Sequence, residues 1–520
     1  MKNRVLNSKT NIINIVVLIV YVLLQSYFAM HHEAWRDESQ AWIIAKNASF
    51  SEIWGLLPSE GHPCLWFYLL KICSMSGLSF YHLSLISIVI MTVAAALLLW
   101  KSPFSFLLKV CVLLSPIFFY YNPVICRIYS VVVLLIVLLC ICWTDRRSKP
   151  IIYGVLVALL FQSHILVAGL AIGCLIERSM HYKELMKSKR NIAGFVIPVI
   201  SFICLILELR QTRETETYIN VTPDYIISRL NIGAVIQNIH DVSRFFDYGY
   251  VIVGIMIFLA CLMMFIIYAI KISVNQRFRE KNADLFIVFL CGISYYWAII
   301  ICVRGAGHVQ MAIVFWIIML FFAWTAVSTS KGMPPEAQRT EQIDTDGNPQ
   351  SMGFRSCTRY LKNNVIEVLL LICCVLAIPN CTFKDPISDV HGQFSGSLEM
   401  AKMVEKNVPD GSVVVVHNDY FCTTIAAYLY EAKKDYTIWD IDNGCEFRIH
   451  KWGRPNKRTI PDKLLYKTIK DDCNRYKNKF YIYGTSNPAT NMLSLRHMKE
   501  IGKNSSLNKW AEYYQLYKVD

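Results

Sequence analysis

The sequence carries little charge for its length. Asp, Glu, Lys and Arg make up 17% of its 520 residues, whereas hydrophobic residues make up 55%. The mean hydropathy is +0.38. Water-soluble globular chains carry more charge and fewer apolar residues, so this composition excludes that class and indicates an integral membrane protein.

Several motifs of other protein classes are absent from the sequence. It has no GxGxxG or P-loop motif, which argues against nucleotide binding. No two cysteines have the CxxC spacing of a metal site, and no Ser-His or Cys-His nucleophile motif is recognisable. No basic patch with interleaved aromatic residues is present, so the net charge of +14 does not indicate nucleic-acid binding.

What the chain does contain is long apolar runs. A helix needs about 20 apolar residues to cross the hydrocarbon of a bilayer, and we predict about eleven crossings. The predicted spans are 11–30, 82–100, 104–121, 128–144, 151–163, 165–177, 192–209, 249–270, 284–303, 310–328 and 363–380. Lys2, Arg4 and Lys9 precede the first span and predict a cytoplasmic N-terminus. A signal peptide is the alternative, but no small-residue cleavage site follows.

The basic residues support this topology. Alternating spans place the basic clusters on the cytoplasmic side, as the positive-inside rule expects. These clusters are Lys101 and the ranges 146–149, 178–190, 271–281 and 331–362. The apolar segment 63–75 is predicted to lie along the outer interface, because a crossing there would invert every later loop.

Four predicted outer loops carry polar or ionisable residues close to helix ends. Charged groups are costly within a membrane, so their presence there suggests function. The residues are Asp37, Glu38, Glu60 and His62 in the first loop, Arg127 and Tyr129 in the second, His164 in the third, and Arg304 and His308 in the fourth. We expect them to form one site. The alternative is that Asp37 and Glu38 cap a helix, the two arginines are interfacial anchors and His164 is a packing residue.

These motifs resemble those of the GT-C superfamily of membrane glycosyltransferases, in particular bacterial relatives of the protein O-mannosyltransferases and the lipid A aminoarabinose transferases. The resemblance covers about residues 11–380. It is carried by Arg36-Asp37-Glu38 with Gln40-Ala41-Trp42, Glu60-Gly61-His62-Pro63 with 65–70, Arg127-Ile128-Tyr129, His164, Arg304 and His308. It departs at Cys64, where relatives usually have a second proline, and in the second outer loop, which has an arginine but no acidic residue.

The resemblance implies a GT-C-like polytopic α-helical fold in the cell membrane. It also implies transfer of a sugar from a polyprenyl-phosphate carrier to a glycan, lipid or protein acceptor at the extracytoplasmic face, with inversion. A carboxylate is the ordinary general base for such a step, so Asp37 is the predicted base, with Glu38 beside it. Arg127, Arg304 and His308 are candidates for binding the phosphate.

The remaining residues are predicted to bind substrate. Tyr129 and His164 belong to this group. Glu38, Glu60 and His62 either position the acceptor or hold a divalent ion together with Asp37. Carboxylates alone suit magnesium or manganese, and added imidazole suits zinc or manganese.

The character of the chain changes after the last span. Residues 1–380 are predicted as the catalytic membrane domain and 381–520 as a small extracytoplasmic α/β domain. The ranges 411–417 and 479–483 are typical of strands, and 423–431 is typical of a helix. Pairing among the four cysteines of this region is left open; they are Cys381, Cys422, Cys445 and Cys473.

Other functions fit parts of this pattern. A transporter or flippase of a lipid-linked molecule would place polar residues near the bilayer midplane, whereas here they lie towards one face. A glycan polymerase or ligase also uses polyprenyl carriers at the outer face. A non-catalytic scaffold would tolerate loss of Asp37.

Overall fold

A computed structural model describes most of the chain. The described residues are 2–210, 222–229, 233, 251–302, 309–331, 365–391, 394–417, 419–450, 458, 460–485, 498–503 and 512–520. Helices dominate up to residue 407, and all six described strands follow. The predicted fold class, a polytopic helical protein with a small C-terminal α/β region, is confirmed.

Sixteen α-helices of the described residues precede the C-terminal region. They are α1 (Lys2–His31), α2 (Arg36–Asn47), α3 (Phe50–Glu60), α4 (Cys64–Met75), α5 (Ser84–Lys101), α6 (Phe106–Leu113), α7 (Tyr129–Cys142), α8 (Pro150–Ser163), α9 (Ala168–Met180), α10 (Tyr182–Leu185), α11 (Lys189–Glu208), α12 (Pro223–Arg229), α13 (Val251–Val274), α14 (Gln276–Cys302), α15 (Val309–Lys331) and α16 (Val365–Ile378).

Six described helices are long and apolar enough to cross a membrane. Their apolar segments, counted together with adjoining 3-10 turns, are Lys9–His31, Phe80–Lys101, Lys189–Glu208, Ile255–Val274, Phe278–Cys302 and Ile313–Ser330. Four shorter apolar helices accompany them, namely Cys64–Met75, Tyr129–Asp145, Pro150–Ser163 and Val365–Ile378. The protein is therefore a multi-pass membrane protein, although the predicted count of eleven crossings is not confirmed.

The predicted span 104–121 is only partly helical. Helix α6 ends at Leu113, and the chain continues in turns as far as Arg127. Pro116 lacks a backbone N–H and disfavours the helical conformation of the residue before it, so the helix stops there. The second predicted outer loop consequently starts earlier than the apolar pattern indicated.

Glycines allow a close contact between helices α8 and α11. A Cβ atom at Gly154 of α8 would lie 2.1 Å from the carbonyl oxygen of Gly194 on α11. One at Gly194 would lie 2.3 Å from the carbonyl oxygen of Pro150. Only glycine permits two helix backbones to approach so closely, as in small-residue helix interfaces generally.

The C-terminal region forms one mixed sheet with helices. The helices are α17 (Asp385–His391), α18 (Ser397–Asn407), α19 (Asp419–Leu429) and α20 (Asp462–Asp472). The strands are β1 (Ser412–His417), β2 (Tyr436–Asp440), β3 (Cys445–Glu446), β4 (Lys479–Thr485), β5 (Met498–Lys503) and β6 (Tyr513–Val519), in the spatial order β3-β2-β1-β4-β6-β5. Strand β1 pairs in parallel with β2 and β4, and the other neighbours are antiparallel.

Strand β1 is buried on both faces. Val414 and Val416 belong to a core that continues into the membrane part, whereas Val413 and Val415 pack on a second core with α20. A strand covered on both faces has an unbroken apolar sequence, which is why this strand could be predicted. The predicted strands at 411–417 and 479–483 and the helix at 423–431 are confirmed within a few residues. The domain boundary at 380/381 stays a prediction.

Candidate active site

The first predicted outer loop folds into α2, α3 and α4. Helix α2 begins directly after Trp35, and Asp37 and Glu38 lie in its first turn, where acidic side chains stabilise a helix. The Glu38 side chain accepts a hydrogen bond from the Trp35 backbone N–H at 3.2 Å. The helix-capping interpretation therefore applies to Glu38, and Asp37 is directed elsewhere.

Asp37 forms an ion pair with an arginine of the second outer loop. Its Oδ2 lies 3.2 Å from Nη1 of Arg127, and the two side chains are 28% and 16% exposed respectively. The guanidinium carbon lies 5.9 Å from the ring centre of Trp35 and 5.5 Å from that of Tyr129. The aromatic rings hold the guanidinium in place, and the pair remains partly open to solvent.

His164 and Tyr129 continue the site from Arg127. Their rings stack with centres 5.0 Å apart, and Tyr129 Oη lies 3.1 Å from His164 Nε2. The backbone N–H of Leu166 donates to His164 Nδ1 at 3.1 Å, so in the neutral ring the proton is on Nε2. His164 therefore donates to the tyrosine oxygen, and the phenol keeps its own proton for another acceptor.

His62 closes this group of side chains. Its ring centre is 4.9 Å from that of His164, and its buried Nδ1 has no hydrogen-bond partner. Burial and the nearby Arg127 charge lower the pKa of His62 to about 4. The Asp37 carboxylate acts in the opposite direction but is outweighed. The imidazole is thus neutral near pH 7 and can accept or donate a hydrogen bond.

Glu38 and Glu60 have partners within the protein. Glu38 Oε1 accepts a hydrogen bond from the Cys126 backbone N–H at 2.6 Å. Glu60 Oε1 accepts from Gln40 Nε2 at 2.9 Å, and the same nitrogen donates to the His450 carbonyl oxygen at 3.0 Å. Glu60 is therefore connected to the C-terminal region.

The structure brings five of the nine candidate residues into one continuous set of contacts. These five, called the central cluster below, are Asp37, Arg127, Tyr129, His164 and His62. Glu38 is outside this set and binds the Cys126 backbone N–H, and Glu60 binds the Gln40 side chain. Arg304 and His308 lie outside the described residues. The roles assigned to all nine residues stay predictions.

The candidate metal ligands do not converge. Among the described residues, one set of three side chains places its ligand atoms within 4.8 Å of one another, and it consists of Glu177, His181 and Asp284. Asp37, Glu38, Glu60 and His62 are not in that set. Glu177 and Asp284 are also paired with Arg146 at 3.0 and 2.6 Å, so arginine already compensates their charge. A divalent ion at the first outer loop stays a prediction.

Sequence reasoning missed three residues next to the cluster. Trp35 lies beside Arg127, and His32 contacts both Glu38 and Asp389. His32 follows α1 directly, so the criterion of ionisable residues at helix ends applies to it as well. No local signal identifies Asp389, which is 357 positions further along the chain.

Comparison with known proteins finds similar solved structures, among them two of ArnT. No protein-family model matches the chain, and no curated protein matches it. The chain is similar to ArnT from Cupriavidus metallidurans in the apo state, with 10% identity, 98% of each chain covered and a TM-score of 0.49. It is also similar to ArnT from the same organism bound to undecaprenyl phosphate, with 11% identity, 97% of each chain covered and a TM-score of 0.44.

Proposed function

We propose that this protein is an integral membrane glycosyltransferase that moves a sugar from a polyprenyl-phosphate carrier to an acceptor hydroxyl. The ion pair between Asp37 and Arg127 is the observation that carries the proposal. It combines a carboxylate, which can accept a proton, with a guanidinium, which suits a phosphate, next to the ends of membrane helices.

The reaction is a single displacement at the anomeric carbon. The acceptor oxygen attacks that carbon while the bond between the carbon and the phosphate oxygen breaks, which inverts the configuration. The acceptor proton passes to Asp37, and the carrier leaves as a lipid phosphate. No covalent sugar–enzyme intermediate is needed, which agrees with the lack of a nucleophile motif in the sequence.

Arg127 and Tyr129 stabilise the leaving phosphate. Arg127 has five N–H donors, of which Nη1 faces Asp37, so donors remain for phosphate oxygens. The hydroxyl proton of Tyr129 is available because its oxygen accepts from His164. Donors fixed in advance by the fold stabilise developing charge more than mobile water does.

His62 contributes to the acceptor side. A neutral imidazole with a buried, unpartnered Nδ1 binds a hydroxyl group, because an unsatisfied buried polar atom gains a hydrogen bond when substrate arrives. Arg304 and His308 remain additional candidates for the phosphate. No step of this mechanism uses a metal ion.

The test follows release of free lipid phosphate in proteoliposomes. Purified protein is given a panel of polyprenyl-phosphate sugars and candidate acceptors, and the wild type is compared with Asp37→Asn. Asp145→Asn serves as the control, because Asp145 is an exposed residue paired with Lys149 beyond the far end of α7. We expect release by the wild type and the control, and a rate at least about 100-fold lower for Asp37→Asn.

The same assay separates the alternative functions. A flippase would move labelled carrier across the bilayer and leave the bond between sugar and phosphate intact. A scaffold would neither move nor split the carrier. Equal release by wild type and Asp37→Asn would remove Asp37 from the chemistry, and failure of every donor and acceptor would contradict the proposed function.

A further inference from the structure

His32 connects two buried carboxylates that lie far apart in the sequence. Its Nε2 is 3.0 Å from Glu38 Oε2 and its Nδ1 is 2.9 Å from Asp389 Oδ2. All three side chains are 1% exposed. Carboxylate oxygens only accept hydrogen bonds, so a ring that donates from both nitrogens carries both protons and a positive charge.

The electrostatics of the pocket agree with that charge. Burial lowers the pKa of His32, but the Glu38 and Asp389 carboxylates outweigh burial and raise it to about 10. Tyr120 Oη also donates to Asp389 Oδ2 at 2.6 Å. The charge of His32 therefore compensates two buried carboxylates. We call Asp389, His32 and Glu38 the buried triad.

Glu38 connects the buried triad to the central cluster through backbone hydrogen bonds. Its carboxylate accepts from the backbone N–H groups of Trp35 and Cys126. Cys126 immediately precedes Arg127, and Asp37 immediately precedes Glu38. The same carboxylate thus holds both backbone segments whose side chains meet in the Asp37–Arg127 ion pair.

We propose that His32 and Asp389 are positioning residues that set, through Glu38, the geometry of the Asp37–Arg127 pair. This inference rests on the proposed function. The triad is buried, so it does not touch substrate and acts only through its neighbours. Asp389 belongs to α17, the first helix of the C-terminal region. The C-terminal region thereby contributes to the site without supplying a reacting group.

Substitution of His32 tests the proposal. His32→Gln keeps a polar side chain but leaves Glu38 and Asp389 without a cation. A displacement of about 1 Å in a catalytic group costs on the order of 100-fold in rate, so we expect kcat to fall roughly 10- to 100-fold with little change in KM for the donor. His31→Gln is the matched control, because the neighbouring histidine is exposed and bonds the Tyr27 carbonyl oxygen, away from the buried triad.

Two further readouts separate positioning from a general structural defect. In an Asp37→Asn background, His32→Gln should lower the residual rate no further, since the triad acts through Asp37. Hydrogen exchange at the Cys126 amide should become faster in His32→Gln and stay unchanged in His31→Gln. Asp389→Asn disturbs the triad from its other end and replaces His32→Gln if that variant does not fold.

The outcomes distinguish the inference from the function on which it rests. An active wild type with equal kcat in His32→Gln and His31→Gln overturns the positioning role. Equal losses in the wild-type and Asp37→Asn backgrounds also overturn it, because they indicate a general defect. A wild type inactive with every donor overturns the proposed function, and Cys126 exchange then tests the triad alone: unchanged exchange contradicts it.

Discussion

At the scale of single residues, two adjacent carboxylates take different places. Asp37 is partly exposed and pairs with Arg127, whereas Glu38 is buried and holds backbone N–H groups. The sequence identified both as candidates because they follow a membrane helix. It named Asp37 as the predicted base but did not predict the partners of either carboxylate, because those partners come from the second outer loop and from more distant parts of the chain.

The hydroxyl of Tyr129 provides a prediction at this scale. Tyr129→Phe keeps the ring that stacks on His164, and it removes both the proposed donor to the phosphate and the oxygen that accepts from His164 Nε2. A hydrogen bond to a charged group contributes about 1.5–3 kcal/mol, so we expect kcat/KM for transfer to fall roughly 10- to 100-fold. Tyr268→Phe is the control, since Tyr268 loses a comparable bond to Asn282 away from the site. Similar kinetics of both variants would contradict the role of Tyr129.

His62 gives a pH-dependent prediction. Its pKa is lowered from 6.5 to about 4, so between these values the unfolded state binds more protons and stability falls as the pH falls. The lowered pKa of His62 changes the free energy of unfolding by about 3 kcal/mol across this pH range. Burial raises the pKa of Glu33 to about 7, so protonation of Glu33 increases stability as the pH falls. Because this effect opposes that of His62, the test compares a His62 variant with the wild type. His62→Gln should lose less thermal stability than wild type between pH 6.5 and 4, and parallel curves would contradict the assignment.

At the scale of secondary-structure elements, the contact between α8 and α11 depends on glycine. We expect Gly154→Ala to destabilise the protein by about 1–3 kcal/mol, because its methyl group would overlap the Gly194 backbone. Gly55→Ala in α3 is the control, since a Cβ there meets nothing within 4 Å. Thermal unfolding in detergent measures both. An unchanged midpoint for Gly154→Ala would show that the two helices can move apart without cost.

The elements also show where sequence reasoning succeeds and where it fails. Strand β1 was predictable because four consecutive valines need burial on both faces. The span 104–121 was not, because hydropathy averages over Pro116, which ends helix α6. Helix bounds depend on such single backbone restrictions, whereas element type depends on the overall pattern.

At the scale of the whole molecule, the C-terminal region packs on the first outer loop. Glu431 accepts hydrogen bonds from Lys46, Ser79 and the Phe80 backbone. Arg448 forms two bonds of 3.0 Å with Glu52. These contacts join positions about 350 to 400 residues apart. No local pattern encodes such pairs, so the sequence predicted two domains and not their contact.

The exposed thiol of Cys445 tests the predicted orientation of this region. Cys445 is free and exposed, whereas Cys473 is free and buried. We expect a membrane-impermeant maleimide to label Cys445 in right-side-out vesicles, and Cys445→Ser to lose the label at this position. Labelling of Cys445 only in inside-out vesicles would reverse the topology and place the central cluster on the cytoplasmic side.

The most direct test of the central claim, that Asp37 and Arg127 act as one catalytic unit, is a double-mutant cycle on kcat for transfer from a polyprenyl-phosphate sugar. Asp37→Asn and Arg127→Gln are measured singly and together, at matched folding. We expect kcat to fall at least about 100-fold in each single variant. In the double variant, kcat should be little lower than in the less active of the two single variants. Losses that multiply, or an Asp37→Asn variant that retains the wild-type kcat, would contradict the claim.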